Sequence, residues 1–446
     1  MTVLPQLTTD DMEFSSYAYS YPHKSSYRTL SPPVLIADAW RDEDVRQLSL
    51  YVHIPFCEMR CGFCNLFTQS QPQGDVVRAY LSTLGRQFRV VRNAVPGARF
   101  SQFAIGGGTP TFLEAPQLES LLLTVESNFQ QSISELPTSI ETSPATATLD
   151  RLKVLKEFGV QRVSVGIQSF VEDEIRQIGR PQRADDVFAS LDRIRRMGFP
   201  ALNVDLIYGH PLQTHRSWKA SLLAALRFEP DELYLYPLYI RPQTGLGVRR
   251  DEAPPHRDDL YRLARDLLLS LGYVQSSLRC FRRPTLTSPS TYSCQRDGMI
   301  GLGCGARSYT QRLHYATRFA VTQAGVRAIL RSWISQTDAE LALATHGMWL
   351  SAEEQIRRHV IMSLLQADGL QLSEMQQRFP PQMLEELPEM AVLFERGWAE
   401  RLQDRIRLTP EGLAKSDIVG PLLYSSEVRD RLREFTQLRT IKPVNS

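Results

Sequence analysis

The sequence has few cysteines, no excess charge of one sign and no long apolar run. Only six cysteines occur in 446 residues, too sparse and uneven for a disulfide framework, and Cys57, Cys61 and Cys64 cluster so closely that they read as a metal site. Lys plus Arg number 51 against 49 Asp plus Glu, a net charge of +2. That leaves no basic field for a phosphate backbone, and no nucleic-acid partner is expected. No stretch approaches the roughly 20 apolar residues that span a bilayer, and the opening MTVLPQLTTDDMEF has no charged region followed by an apolar one. The expectation is a cytoplasmic protein without a membrane partner. With 42% hydrophobic and 22% charged residues, the composition is that of a globular chain with two or three domains, which excludes disordered and collagen-like classes.

Residues 1–46 are rich in Ser, Tyr, Thr and Pro (YAYSYPHKSSYRTLSPP). They show neither helical nor strand periodicity and read as an extended arm laid over the rest. Over residues 47–245 short β-branched or aromatic runs appear: LSLYVHIPF, QFAIGG, TSIETS, RVSVGIQ, LNVDLIYG and ELYLYPL. They alternate with segments at Val76–Val95, Gln117–Asn128, Ala147–Phe158, Ala184–Met197 and Arg216–Arg227 whose apolar residues recur every three or four. The alternation predicts an α/β fold of about six βα units. Six is too few for a closed eightfold barrel, so the expected architecture is a partial, open barrel, its gap covered by the arm and by residues 246–345. That covering segment holds a helix at Arg257–Leu271, a Pro, Ser and Thr-rich stretch (RRPTLTSPSTYS) and a glycine-rich turn, GMIGLGCGARS. Residues 346–446 read as helices at Ala352–Leu365, Leu372–Arg378 and Gln382–Arg396, followed by two short strands in WAERLQDRIRL. This is a winged-helix-like pattern, and with no marked basic character it suggests a structural or substrate-covering cap rather than a DNA reader.

Cys57, Cys61 and Cys64 stand as Cys-x3-Cys-x2-Cys just after the first apolar run. Three thiolates can hold three irons of a [4Fe–4S] cube and leave the fourth iron open to a ligand. A closed structural zinc wants four ligands, and His53, within the first strand, is poorly placed to supply one. Gly106, Gly107 and Gly108 follow the second strand, where a backbone without Cβ atoms can approach a ligand closely or simply make a tight turn. Glu141 can accept from an ammonium group or ribose hydroxyls. Arg180 can pair with a carboxylate through two N–H groups, and Asp205 can hold a hydroxyl pair or an ammonium group. Cys294 and Cys304, the catalytic candidates, could donate a hydrogen atom or, like nearby Cys280, pack as small hydrophobes. Gly301–Ala306 imitates a dinucleotide fingerprint but lacks a following helix and an acidic partner, so a Rossmann site is rejected. His23, Lys24 and Arg28 on the arm could meet substrate carboxylates or solvent.

The runs YVHIPFCEMRCGFC, IGGGTPT, ETSP, VSVGIQSF, NVDLIYGHP and GLGCGARSY together resemble the radical S-adenosylmethionine (SAM) superfamily. Within it the chain is similar to the oxygen-independent coproporphyrinogen III oxidase family, from about Tyr17 to the C-terminal domain. The resemblance implies a [4Fe–4S] cluster on Cys57, Cys61 and Cys64, with SAM bound to the open iron through its amino and carboxylate groups. An electron from the reduced cluster then cleaves SAM to methionine and a 5′-deoxyadenosyl radical. It further implies a small-molecule substrate and an electron donor such as flavodoxin or ferredoxin. By the same resemblance Gly107, Gly108, Thr109 and Glu141 contact the first SAM. Gln168, Arg180 and Asp205, with Tyr51, line a pocket with room for a second. Phe63, Asn65, Tyr239 and Arg307 match further cofactor-binding positions, although Tyr239 and Arg307 differ from the small or apolar residues common there.

Two departures bear on the reaction. Leu66 stands where those oxidases usually carry a fourth cysteine, and SYPHKSSYR differs from their tyrosine-rich start. The expected function is therefore a radical SAM carbon transfer of the methylase or cyclopropanase kind, with a second SAM as carbon donor to a small organic substrate. Oxidative decarboxylation of coproporphyrinogen III and a haem-binding chaperone are the alternatives.

Overall fold

The computed structural model describes residues 18–180, 182–252, 254, 256–285, 298–380 and 387–441. In chain order its first strands are β1 (Arg28–Leu35), β2 (Leu48–Ile54), the two-residue pair β3 (Phe56–Cys57) and β4 (Gln69–Ser70), then β5 (Phe100–Gly107), β6 (Thr138–Thr142), β7 (Arg162–Gln168), β8 (Ala201–Tyr208) and β9 (Glu232–Pro237). Strands β2, β5, β6, β7, β8 and β9 lie side by side in that order, all parallel. Each is one of the six apolar runs. Helices Val76–Ala94, Ala115–Phe129, Leu149–Glu157, Ala184–Met197 and His215–Leu226 connect them, within one to two residues of the expected spans.

A strand sends alternate side chains to opposite faces. Val52, Ile54, Phe103, Ile105, Ile140, Val163, Val165, Val204 and Leu206 are buried in one core cluster with Tyr80, Phe88, Leu122, Leu152, Leu191, Trp218 and Leu222 from the helices. The alternate positions form a polar inner face. Gln102 Nε2 donates to Ser49 Oγ at 2.6 Å, Arg162 Nη1 to Ser139 Oγ at 3.0 Å and Asn203 Nδ2 to Ser164 Oγ at 2.7 Å. Arg162 is also paired with Glu232 at 2.6 Å. The period-two pattern thus separates a dry, helix-facing side from a face able to hold a polar ligand.

The sheet continues beyond the barrel through β10 (Val274–Gln275), β11 (Cys280–Arg282), β12 (Met299–Leu302), β13 (Arg307–Tyr309), β14 (Leu313–Ala316) and β15 (Leu343–Trp349), to 13 strands in all. Two expectations are corrected here. The arm does contain a strand: β1 pairs antiparallel with β15, Arg28 opposite Gly347 and Val34 opposite Ala344, with a break in register after Thr29. Pro32 and Pro33 cannot donate to a ladder and are tolerated only at a sheet edge, which is why the segment shows no strand pattern. The glycine-rich turn is in part β12, parallel to β2 and filling its open flank. The Pro, Ser and Thr-rich stretch lies mostly outside the described residues.

The last part has its own core. Helices Ala352–Leu364, Leu372–Arg378 and Glu389–Glu395 pack with β16 (Leu370–Gln371), β17 (Ala399–Leu402) and β18 (Arg405–Leu408), a three-stranded antiparallel wing. The expected start of the third helix, at Gln382, lies outside the described residues. Helices Pro410–Ala414, Ser416–Leu422 and Ser426–Ile441 follow, unanticipated from the sequence. Tyr21 and Tyr27 of the arm are buried in this second core. The Tyr21 hydroxyl donates to Glu354, which also accepts from Ser425, and Arg358 Nη1 donates to Tyr21 O at 2.5 Å. No helix among the described residues is long and apolar enough to cross a membrane.

Candidate active site

The carboxyl ends of the parallel strands carry the polar and glycine residues singled out above. Strand β2 runs through Tyr51 and His53 into β3, which ends on Cys57, and the loop that follows brings Cys61 and Cys64 beside it. All three are free thiols, Cys61 buried and the other two half-buried. Thr109 Oγ1 donates to Cys57 Sγ at 3.6 Å, Cys64 Sγ lies 3.8 Å from Thr68 Oγ1, and Arg180 Nη1 donates to Cys61 Sγ at 3.1 Å. Burial pushes the Cys57 thiol up to about 12 and raises that of Cys64, so both hold protons that metal ligation would release. Among the described residues no three of His, Cys, Asp and Glu stand close enough for a single metal ion. Cysteines on separate irons of a cluster need not meet at one point.

The glycine run has a steric cause. A Cβ on Gly107, at φ +120°, would sit 2.6 Å from the His53 ring, and one on Gly108 would sit 2.5 Å from Phe56 O and 2.9 Å from Cys57 Sγ. The backbone therefore passes directly against the cysteine loop. Gly107 N donates to Glu141 Oε2 at 3.0 Å. Glu141 is the one exposed residue of its strand. Enclosure by the walls pushes its carboxyl up to about 7, against the Gly107 amide, with the charge of Asp205 adding to the rise; water reaching the group weakens that push.

Strand β7 ends in a bulge between Gly166 and Gln168, and Gln168 takes a left-handed φ of +70°. Arg180 closes on it: Nη2 donates to Gly166 O at 2.6 Å and Nε to Gln182 Oε1 at 2.9 Å. One guanidinium thus ties Cys61 to the end of β7. Asp205 lies opposite Gly166 in the neighbouring strand. It accepts from Asn203 Nδ2 at 2.7 Å and Ser164 Oγ at 3.2 Å, and burial raises its carboxyl against those bonds. Tyr51 Oη meets His53 Nδ1 at 3.1 Å, and His53 Nε2 meets Phe67 O at 3.0 Å.

Direct contacts thus link Thr109 to Cys57, Arg180 to Cys61 and Gly107 to Glu141, with Gly108 packed against Cys57. Other expected residues are engaged elsewhere. The Tyr239 hydroxyl donates to Asp417 Oδ1 at 2.6 Å, in the C-terminal part. Arg307 Nη1 donates to Ser20 Oγ at 3.0 Å and its guanidinium lies over the Tyr19 ring. Phe63 packs with Ile175, Ile178, Ile207, Leu238 and Leu246, and Asn65 is half-buried in the cysteine loop. Cys304 is fully buried in the main core, where burial raises its thiol well above the ordinary range. Cys294 lies outside the described residues. Sequence reasoning missed His53 as the ring filling the space against Gly107. It also missed Glu58, which accepts from Ser143 Oγ at 2.6 Å, and Arg60, whose guanidinium reaches Val321 O and Cys64 O.

Residues 51–224 match the family model described as the radical SAM superfamily, and residues 350–414 match the HemN C-terminal domain. The heme chaperone HemW of Bacillus subtilis is 27% identical over 389 residues, 84% of this chain and 99% of that protein. The oxygen-independent coproporphyrinogen III oxidase of Escherichia coli is 29% identical over 435 residues, 91% of this chain and 93% of that one. The solved structure of the Escherichia coli coproporphyrinogen III oxidase HemN, a radical SAM enzyme, superposes with a TM-score of 0.76 at 26% identity, covering 94% of this chain and 99% of that chain. The parallel sheet, the cysteine loop at its carboxyl edge and these likenesses agree: the chain belongs to the radical SAM superfamily, in its oxygen-independent coproporphyrinogen III oxidase-like family.

Proposed function

We propose that this protein is a radical SAM enzyme that carries a [4Fe–4S] cluster on Cys57, Cys61 and Cys64 and acts on a carboxylate-bearing small molecule. The observation carrying this reading is the convergence on one loop of Gly108 against Cys57, Thr109 on the same thiol and Arg180 on Cys61. The residues fit the group: three free thiols flank a glycine backbone, and Leu66 offers no further thiolate. When bound, cluster and SAM supply an electron and a carbon radical able to take hydrogen from an unactivated C–H bond. An electron donor such as flavodoxin or ferredoxin would feed the cluster.

The chain's own part is binding and orientation. Gly107, Gly108 and Thr109 present backbone groups beside the cysteines, while Glu141 accepts from an ammonium or hydroxyl group of SAM. Gln168 and Asp205, on β7 and β8, and Arg180, in the loop after the helix Glu172–Gln177, offer a second set of polar contacts. The substrate class follows from charge. Burial raises the Tyr19 hydroxyl, but Lys24, Arg307 and Arg241 outweigh it and leave the group lowered. Lys24 lies over the Phe319 ring, Arg241 over Tyr239 and Arg307 over Tyr19 with a bond to Ser20, and positive charge gathered around Tyr19 in this way supports a carboxylate-bearing substrate. Oxidation of coproporphyrinogen III, the activity in the name of the Escherichia coli relative, would act on such a substrate, with loss of carboxylate as CO2 the outcome to test. A second reading, methyl or methylene transfer from a second SAM, is favoured by Leu66 and by the Gln168, Arg180 and Asp205 set.

The test is anaerobic reconstitution, reduction and product analysis by mass spectrometry, with and without coproporphyrinogen III. 5′-Deoxyadenosine with substrate-dependent CO2 release supports decarboxylation, and 5′-deoxyadenosine with S-adenosylhomocysteine supports carbon transfer. A loaded cluster that yields no 5′-deoxyadenosine while the protein binds haem tightly contradicts both and points to a chaperone.

A further inference from the structure

The cysteine loop is gripped at a residue that is not a ligand. Gly62 N donates to Ile178 O at 2.8 Å, and Gly62 O accepts from Leu246 N at 2.8 Å. The two partners come from distant segments: Ile178 follows the helix Glu172–Gln177, and Leu246 belongs to the helix Gly245–Arg249 that follows the barrel. Three glycines meet at this point. A Cβ on Gly62 would lie 2.8 Å from Ile178 O, one on Gly245 would lie 3.1 Å from Gly62 Cα and 3.2 Å from Gly62 O, and one on Gly179 would lie 3.4 Å from Gly62 N. Gly179 precedes Arg180, whose guanidinium reaches Cys61. The backbone of the loop is thus held on both sides, one residue from Cys61, with no room for a methyl on Gly62 and room for one on Gly245 only if the loop gives by a few tenths of an ångström.

We infer that the junction of Gly62, Gly179 and Gly245 fixes where Cys61 presents its thiolate, making Gly245 a positioning residue for the cluster although it lies 181 positions beyond the last cysteine ligand, Cys64. The inference rests on the cluster reading above. Gly245 stands at the start of its helix without a left-handed φ, so alanine there strains no local backbone and acts through the contact with Gly62. A shift of a few tenths of an ångström in the loop changes the angle and hydrogen bonding of one thiolate, and such neighbours tune the affinity and potential of a metal site.

The experiment compares wild type with Gly245→Ala and Gly62→Ala, using Val248→Ala as control because Val248 shares the helix and is 74% exposed. Iron-free proteins are checked by circular dichroism, then reconstituted and assayed for iron per chain, the electron paramagnetic resonance spectrum of the reduced cluster, and the rate of iron loss to a chelator. The expected result is native dichroism for all, wild-type behaviour for Val248→Ala, and a changed spectrum with about tenfold faster iron loss for both glycine variants. Native dichroism with an unchanged spectrum and unchanged iron loss in the glycine variants overturns the inference. If Gly245→Ala fails to fold, Gly62→Ala, which probes the same contact from the loop side, decides. A wild-type protein that takes up no cluster refutes the functional reading itself, an outcome separate from failure of the junction.

Discussion

Asp417 is the keystone between the barrel and the C-terminal part, and its removal has a calculable effect. Its carboxylate accepts from Tyr239 Oη at 2.6 Å, Arg257 Nη2 at 3.0 Å and Arg279. Arg279 is only 1% exposed, and its other guanidinium nitrogen donates to the Tyr208 hydroxyl. In Asp417→Ala this buried cation loses its counter-ion, a change that costs about 3–5 kcal/mol. Loss of the Tyr239 bond adds about 1 kcal/mol or more, not strictly additively. Taking about 4 kcal/mol and a urea m-value of about 3 kcal/mol per M, the unfolding midpoint should fall by roughly 1 M. Tryptophan fluorescence in a urea titration reads this, since Trp218 on the barrel and Trp398 in the C-terminal part are both buried. The paired change Arg279→Met with Asp417→Leu removes both charges and should recover much of the loss. An Asp417→Ala midpoint within about 0.3 M of wild type, or a double variant as unstable as the single one, would refute the keystone role.

Other predictions follow the same logic. His53 is buried, and burial depresses its imidazole to about 4. Its stabilising effect is therefore complete above about pH 6.5 and lost as pH falls towards 4, about 3 kcal/mol over the window. Urea midpoints of cluster-free wild type should drop more steeply between pH 7 and 5 than those of His53→Gln, and parallel slopes would contradict this. Gly107→Ala must place a Cβ at φ +120° against the His53 ring and should cost at least about 2 kcal/mol; a near-neutral midpoint would show the glycine run to be a plain turn. Tyr21→Phe removes the hydroxyl bound to buried Glu354 and should destabilise by about 1–3 kcal/mol, read by thermal denaturation, where an unchanged melt would argue that the arm contributes little to the second core.

The barrel was legible in the sequence because its signals are local. LSLYVHIPF, RVSVGIQ and the other runs carry β-branched residues at strand spacing, and the helices between them carry apolar residues every three or four positions, so both announce themselves within a dozen residues. The cysteine triad is equally local. What escaped is set by contacts across long separations. Nothing near residue 180 says that Arg180 will reach Cys61, nothing near 239 says that Tyr239 will turn to Asp417, and nothing near 245 says that Gly245 will lie against Gly62. Strand β1 escaped for a different reason, since Pro32 and Pro33 erase the pattern that its edge position tolerates. Cys304 reads as a hydrogen-donor candidate because it falls in the segment expected to cover the substrate, but its side chain is fully buried in the main core.

The central claim is that Cys57, Cys61 and Cys64 hold a cluster that cleaves SAM. The most direct test is 5′-deoxyadenosine formation by anaerobically reconstituted, reduced wild type beside Cys61→Ala, with iron measured in both. The account predicts iron-dependent 5′-deoxyadenosine from wild type, and loss of both product and cluster iron in Cys61→Ala. Equal iron in the two proteins, or a loaded wild type that leaves SAM intact, would contradict it.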